Sequence, residues 1–218
     1  FNLFANQAQM DIFEQYFYDI NQRERIPANK DSHADISALL EEKIDLHFVS
    51  TALSSTTTYE NIFNIPPDCY KISEVRYVRE DPKLGLVRQE VERTTYKQFN
   101  LARLSPLTAP TVSRPIYYQR GNRIVMNPDS RNSNFISNTI NIGYIRKPDN
   151  VNWTYIVVGE KALSNPGAGD YRNFDLHPSE ETKLVIKILA LAGITLKDPG
   201  LYQIAAAEDN KSTQQEKQ

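Results

Sequence analysis

The stretch Ile116-Tyr117-Tyr118-Gln119-Arg120-Gly121-Asn122-Arg123-Ile124-Val125-Met126 reads as a β-hairpin. Apolar and aromatic residues flank a Gly-Asn pair, which suits a tight primed turn between antiparallel strands. Outward from it, residues 105–115 carry Pro106, Pro110 and Pro115 among small polar residues and read as a loop crossing between subregions. Upstream, residues 70–78 favour a strand through β-branched and aromatic content. Asp81-Pro82-Lys83-Leu84-Gly85 is a turn signal, and residues 86–91 return as the partner strand. Residues 95–103 fit a short helix. Downstream, residues 139–145 alternate polar and apolar until Ile145, and residues 153–158 add one more strand. The Ser/Thr-rich residues 50–61 read as a loop or irregular strand, and 165–170 as a glycine-bearing excursion.

Helices bracket this middle. Over residues 8–22, Met10, Phe13, Tyr16, Phe17 and Ile20 make one helical stripe, which Ile26-Pro27 stops. Ser32-His33-Ala34-Asp35 resembles a capping box for a second helix, with Ile36, Leu39, Leu40, Ile44 and Phe48 on one face and Glu41, Glu42 and Asp45 on the other. His177-Pro178 opens a later helix. Glu180 and Glu181 lie at its positive end, Leu184, Val185, Ile188, Leu189 and Ala192 form its apolar face, and Gly193 suits its C-terminal cap. A shorter helix runs from Asp198-Pro199 to about Ala207, ahead of a polar tail. The segregated order predicts an α+β fold, with N- and C-terminal helices packed against a mostly antiparallel, β-rich middle. The divisions are a helical hairpin at 1–50, a β-rich region at 51–172, C-terminal helices at 173–207 and the tail at 208–218.

With 27 acidic and 25 basic side chains the net charge is −2, which excludes a chain that coats nucleic acid by bulk charge. The 40% hydrophobic content argues against disorder, and no apolar run approaches the ~18 residues of a membrane span. Cys69 is the single cysteine, so no internal disulfide forms. The start Phe1-Asn2-Leu3-Phe4 has neither an initiator Met nor a basic-then-apolar signal, and reads as a chain whose first residues were trimmed or left out.

Catalytic signals are weak. His33, His47 and His177 are too far apart for paired metal ligands and read as surface or capping residues. Asp175-Leu176-His177 lacks a nucleophile elbow. Gly167-Ala168-Gly169 lacks the Lys and hydroxyl residue of a phosphate loop. Glu41-Glu42 and Glu180-Glu181 read as helix faces or dipole caps, and Cys69 as a small buried hydrophobe. Tyr117, Tyr118 and Tyr144, with Arg120 and Arg123 nearby, could stack on single-stranded nucleic acid or sugar. Packing of the sheet explains the tyrosines at least as well. The expectation is no enzyme, no cofactor and no metal.

Residues 114–128, with Ile142-Gly143-Tyr144-Ile145-Arg146-Lys147-Pro148, resemble a unit of tailed-phage structural proteins. In that unit a proline, an aromatic pair, a Gly-Asn hairpin, an apolar strand and a second proline precede a strand ending in Tyr-Ile-Arg-x-Pro. Phe174-Asp175-Leu176-His177-Pro178-Ser179-Glu180-Glu181 and the helix after it are the second such stretch. Together they are similar to ring or head-to-tail connector proteins of crAss-like and related short-tailed bacteriophages. The early helix pair, followed by residues 65–72, is also similar to podovirus tail adaptor proteins.

The resemblance implies a virion structural protein at the tail or portal–tail junction, assembled in the host cytoplasm. Its implied partners are a homo-oligomeric ring of twelve subunits, the portal, other tail proteins, and genomic DNA passing through the lumen without sequence readout. No membrane is involved. Phe13, Tyr16, Phe17, Tyr202 and Ile204 are the candidate interface residues. A virion carbohydrate- or receptor-binding module is the alternative, marked by aromatics clustered beside carboxylates. A hydrolase without a recognised motif is a further rival.

Overall fold

The computed structural model describes residues 1–25, 34–55, 61–81, 83–127, 139–196, 200, 203–204, 207–208 and 211. Its elements, in order, are α1 (Asn2–Arg25), α2 (Ala34–Asp45), β1 (Phe48–Ser54), β2 (Asn61–Asn64), β3 (Cys69–Asp81), β4 (Gly85–Glu90), β5 (Glu92–Arg93), α3 (Tyr96–Leu104), β6 (Ile116–Arg120), β7 (Arg123–Asn127), β8 (Thr139–Arg146), β9 (Tyr155–Val158), β10 (Lys161–Ser164), a short 3₁₀ helix (Pro178–Glu180) and α4 (Glu181–Leu196). The class is α+β: helices lie at both ends and the strands pair antiparallel with one exception, the β5–β6 contact. Two compact units result, His47–Lys147 and the combination of Phe1–Leu46 with Pro148–Gln218.

The β unit, His47–Lys147, holds two four-stranded sheets, in the orders β1-β8-β3-β4 and β2-β7-β6-β5. Period-two alternation turns one face of each sheet inward. Val75, Tyr77, Ile140 and Ile142 from the first sheet meet Phe63 and Ile124 from the second in one core. The hairpin at 116–126 forms with Arg120 opposite Arg123. Gly121 takes φ +57° and Asn122 stays out of the positive region, so the turn follows the II′ pattern.

Gly143 is required for close approach. A Cβ there would lie 2.8 Å from Glu74 Cγ and 2.8 Å from Phe48 Cζ. Gly143→Val forces this packed site to open and is expected to destabilise by about 1–3 kcal/mol, read from a urea titration followed by far-UV circular dichroism. An unchanged midpoint would show that Phe48 and Glu74 move aside freely.

The helical unit is built on α1. The helix starts six residues earlier than its apolar stripe suggests, and its buried face is Ala5, Ala8, Gln9, Ile12, Phe13 and Tyr16. Met10, Phe17 and Ile20 flank that face and are only partly buried. Asn2, Asn6 and Gln9 then grip the backbone of residues 149–153. The Asn6 side chain donates to Val151 O (3.2 Å) and accepts from Val151 N–H (2.6 Å). Asn2 likewise accepts from Trp153 N–H (3.0 Å) and donates to its carbonyl (3.3 Å). Gln9 donates to Asp149 O (2.7 Å) and accepts from Asp175 N–H (2.9 Å). One helical turn of four residues rises about 6 Å and two strand residues about 6.6 Å, so amides spaced along a helix can meet alternate residues of a neighbouring segment.

A charged pair lies in the same unit. Lys43 of α2 bonds Glu180 of the 3₁₀ helix, with side chains 11% and 4% exposed. The Lys43 ammonium also stands 5.6 Å from the Tyr16 ring centroid. Glu180 is therefore a buried partner as well as a first-turn acid.

Several expectations are corrected. Residue 48 does not extend the second helix: α2 ends at Asp45, and Phe48 begins β1, half exposed. Of residues 50–61, read as a loop or irregular strand, 50–54 belong to β1 and pair along β8 as a regular strand, while 56–60 lie outside the described residues. On α2, Leu40 and Ile44 are buried while Leu39 is exposed. On α4, Leu184 is buried while Val185 and Leu189 are exposed. The helix runs through Gly193 to Leu196, so Gly193 does not cap it. The capping box at 32–35 starts outside the described residues, and so does most of the helix expected at 198–207.

Where residues 153–158 read as one strand, the structure has a second hairpin, β9–β10. Gly159 (φ +54°) and Glu160 (φ +65°) make a two-residue turn with both φ positive, the I′ pattern, and Val158 pairs with Lys161. Glutamate disfavours that conformation, which is why no turn signal stands at this point of the sequence.

Candidate functional site

One face of the second sheet turns away from the core. Alternation places Tyr118 and Arg120 of β6 on it, with Arg123 and Val125 of β7 opposite them. Helix α3 covers part of this face. It opens with a capping box, in which the Thr95 hydroxyl accepts from Gln98 N–H (3.3 Å) and Gln98 Oε1 accepts from Thr95 N–H (3.2 Å). Tyr96, Phe99, Asn100 and Arg103 then fall at i, i+3, i+4 and i+7, on one helical face.

Sheet face and helix face enclose a cleft of about 810 Å³. Tyr118 sits edge-on to Phe99 (centroids 4.6 Å) and to Tyr96 (5.3 Å). The Arg103 guanidinium lies 5.9 Å from the Phe99 ring centroid. No carboxylate side chain lines the cleft among the described residues, and none of Arg103, Arg120 and Arg123 makes an ion pair among them.

The three tyrosines singled out by the sequence separate. Tyr118 lines the cleft; Tyr117 and Tyr144 point into the core between the sheets. Burial raises the Tyr117 phenol's pKa, with Arg93 opposing. Burial also raises that of Tyr144, reinforced by its hydrogen bond to Asp68 (3.1 Å). These two serve packing, not ligand stacking.

The histidines do not converge. His47 is fully buried at the start of the β unit, which corrects its reading as a surface or capping residue. His177 caps the 3₁₀ helix by accepting from Ser179 N–H (3.3 Å). His33 lies outside the described residues. Asp175 accepts from Asp149 N–H (3.3 Å). Desolvation and the Asp68 charge push the Cys69 thiol up, against Lys147, so it resists forming the thiolate a nucleophile needs. Among the described residues no group of three or more His, Cys, Asp and Glu could hold a metal ion, and no helix is long and apolar enough to cross a membrane.

Of the interface candidates, Phe13 and Tyr16 are core residues of the helical unit and Phe17 is partly buried, its ring edge-on to Phe13 at 5.2 Å. Complete burial takes Phe13 out of reach of another chain while the unit is folded. Ile204 is exposed, and Tyr202 lies outside the described residues.

The β9–β10 hairpin, missed as a pair of strands, has the stronger interface character. All eight of its strand residues are exposed, including Tyr155, Ile156, Val157 (67%), Val158 and Leu163. Ile156 sits across from Leu163, and Val157 across from Ala162, so both faces of the ribbon are apolar. The Trp153 ring stacks on Tyr155 at 5.6 Å and continues the aromatic surface to Phe1. No protein-family model matches the chain, and no curated protein does.

Proposed function

We propose that the chain is a virion structural protein, the subunit of a ring-forming head-to-tail adaptor that joins portal to tail around the DNA channel. The observation that carries this reading is the β9–β10 ribbon, apolar on both faces and two strands wide. A two-stranded ribbon is marginal in water, and its open edges invite pairing with another chain. Ring closure needs such heterologous contacts, made by two different and complementary faces of one subunit. Val185 and Leu189, one turn apart on α4, are a second exposed apolar pair in the same unit. A net charge of −2 lets identical subunits approach without strong repulsion. The stretches resembling phage connectors supply the assignment to a virion, at the portal–tail junction.

Light scattering tests the reading, on the purified protein alone and mixed with its phage's portal protein. Assembly is expected in at least one condition. The Ile156→Asp/Val157→Asp variant changes only exposed side chains, so it should keep its melting temperature and lose assembly. A strictly monomeric wild type in both conditions would sink the proposal.

A further inference from the structure

We propose that the cleft between α3 and the outer face of the second sheet binds single-stranded nucleic acid, with phosphates held by Arg103, Arg120 and Arg123 and a base stacked on Tyr96. Arg120 and Arg123 are directly opposite across the hairpin, and like charges in that position destabilise a sheet. Arg103 adds a third guanidinium from the helix. No described carboxylate in the cleft offsets them. A fold that places three arginines together at such a cost is built for an anion supplied from outside.

The aromatics select among anions. Tyr118 is held edge-on by Phe99 and Tyr96, while Tyr96 lines the cleft and is 60% exposed as a residue. Arginines tracking a backbone beside an exposed aromatic ring are the elements of single-strand binding. The ring needs an unstacked base, which favours a single strand over a duplex. Asn100 and Asn127 offer amide donors and acceptors along the wall. The overall charge balance conceals this site, because the basic groups are concentrated and not in excess. The inference does not rest on ring formation: a lone subunit carries the whole cleft.

Fluorescence anisotropy with a short labelled oligothymidylate tests it. Wild-type protein should bind at low salt. At roughly 0.7 released counterions per phosphate, three contacts give a log–log salt slope of about −2. Arg120→Ser/Arg123→Ser should bind at least about tenfold more weakly, and Tyr96→Ala roughly fivefold or more. The double variant relieves the like-charge pair, so its melting temperature should hold or rise. Arg123→Glu gives an independent check, since it creates a cross-strand ion pair with Arg120 and should also lose binding. No binding at low salt, or binding indifferent to these substitutions, would overturn the proposal. So would equal affinity for the matching duplex. Displacement by polyglutamate as effective as by unlabelled oligonucleotide would reassign the cleft to an acidic peptide.

Discussion

Glu180→Ala is expected to destabilise the helical unit by about 3–5 kcal/mol, the cost of leaving a buried charge without its partner. Lys43 is 9% exposed and Glu180 3%, so neither can turn to water without moving the helices around it. Lys43→Met should cost a similar amount from the other side. Replacing both, as Lys43→Met/Glu180→Leu, should recover most of the loss, because an apolar pair of similar volume avoids the desolvation of two ions. The chain's single tryptophan, Trp153, belongs to this unit and reports on it by fluorescence during urea unfolding. Equal midpoints for wild type and Glu180→Ala would mean that the pair is solvated in solution.

Asn6→Leu is the second large loss, about 2–6 kcal/mol. Val151 is 4% exposed, and the substitution strips partners from both its N–H and its C=O, at about 1–3 kcal/mol for each unsatisfied buried group. Asn6→Asp separates the two contributions, since the carboxylate still accepts from Val151 N–H but cannot donate to its carbonyl. It should remain below wild type in the same fluorescence titration. A neutral Asn6→Leu would show that water replaces the amide at no cost.

The legible parts of the fold are those whose information is local. The 116–126 hairpin declares itself through alternation and a turn pair, and α3 is legible as a short helix whose Thr95–Gln98 capping box the structure adds. The start of α1 is hidden because Asn2, Asn6 and Gln9 occupy its docking face. These amides recognise backbone, so no apolar periodicity marks them. Residues 48–54 become a strand through pairing with β8, a partner some ninety positions away. Phe48 followed Ile44 at helical spacing, and no glycine or proline intervenes to mark the break. The β9–β10 turn is hidden by Glu160, a residue that its conformation disfavours.

The cleft was half legible. Strand period puts Tyr118, Arg120 and Arg123 on one face, and helix period puts Tyr96, Phe99 and Arg103 on another. That α3 folds over this sheet depends on tertiary packing, which no local pattern records. Tyr117, Tyr118 and Tyr144 share a residue type, but strand alternation turns Tyr117 into the core and its neighbour Tyr118 into the cleft. The interface candidates Phe13 and Tyr16 lie on the apolar stripe of α1 and are buried. That stripe is the face the helical unit needs for its own core. The apolar residues of the ribbon at 155–164 have no such use within the chain and stay exposed.

Negative-stain electron microscopy of the protein co-expressed with the portal protein of a short-tailed phage tests the proposed adaptor reading most directly. Closed rings with a central opening, stacked coaxially on the portal, are the expected result. Single subunits beside bare portals, at concentrations where portal rings are intact, would contradict it.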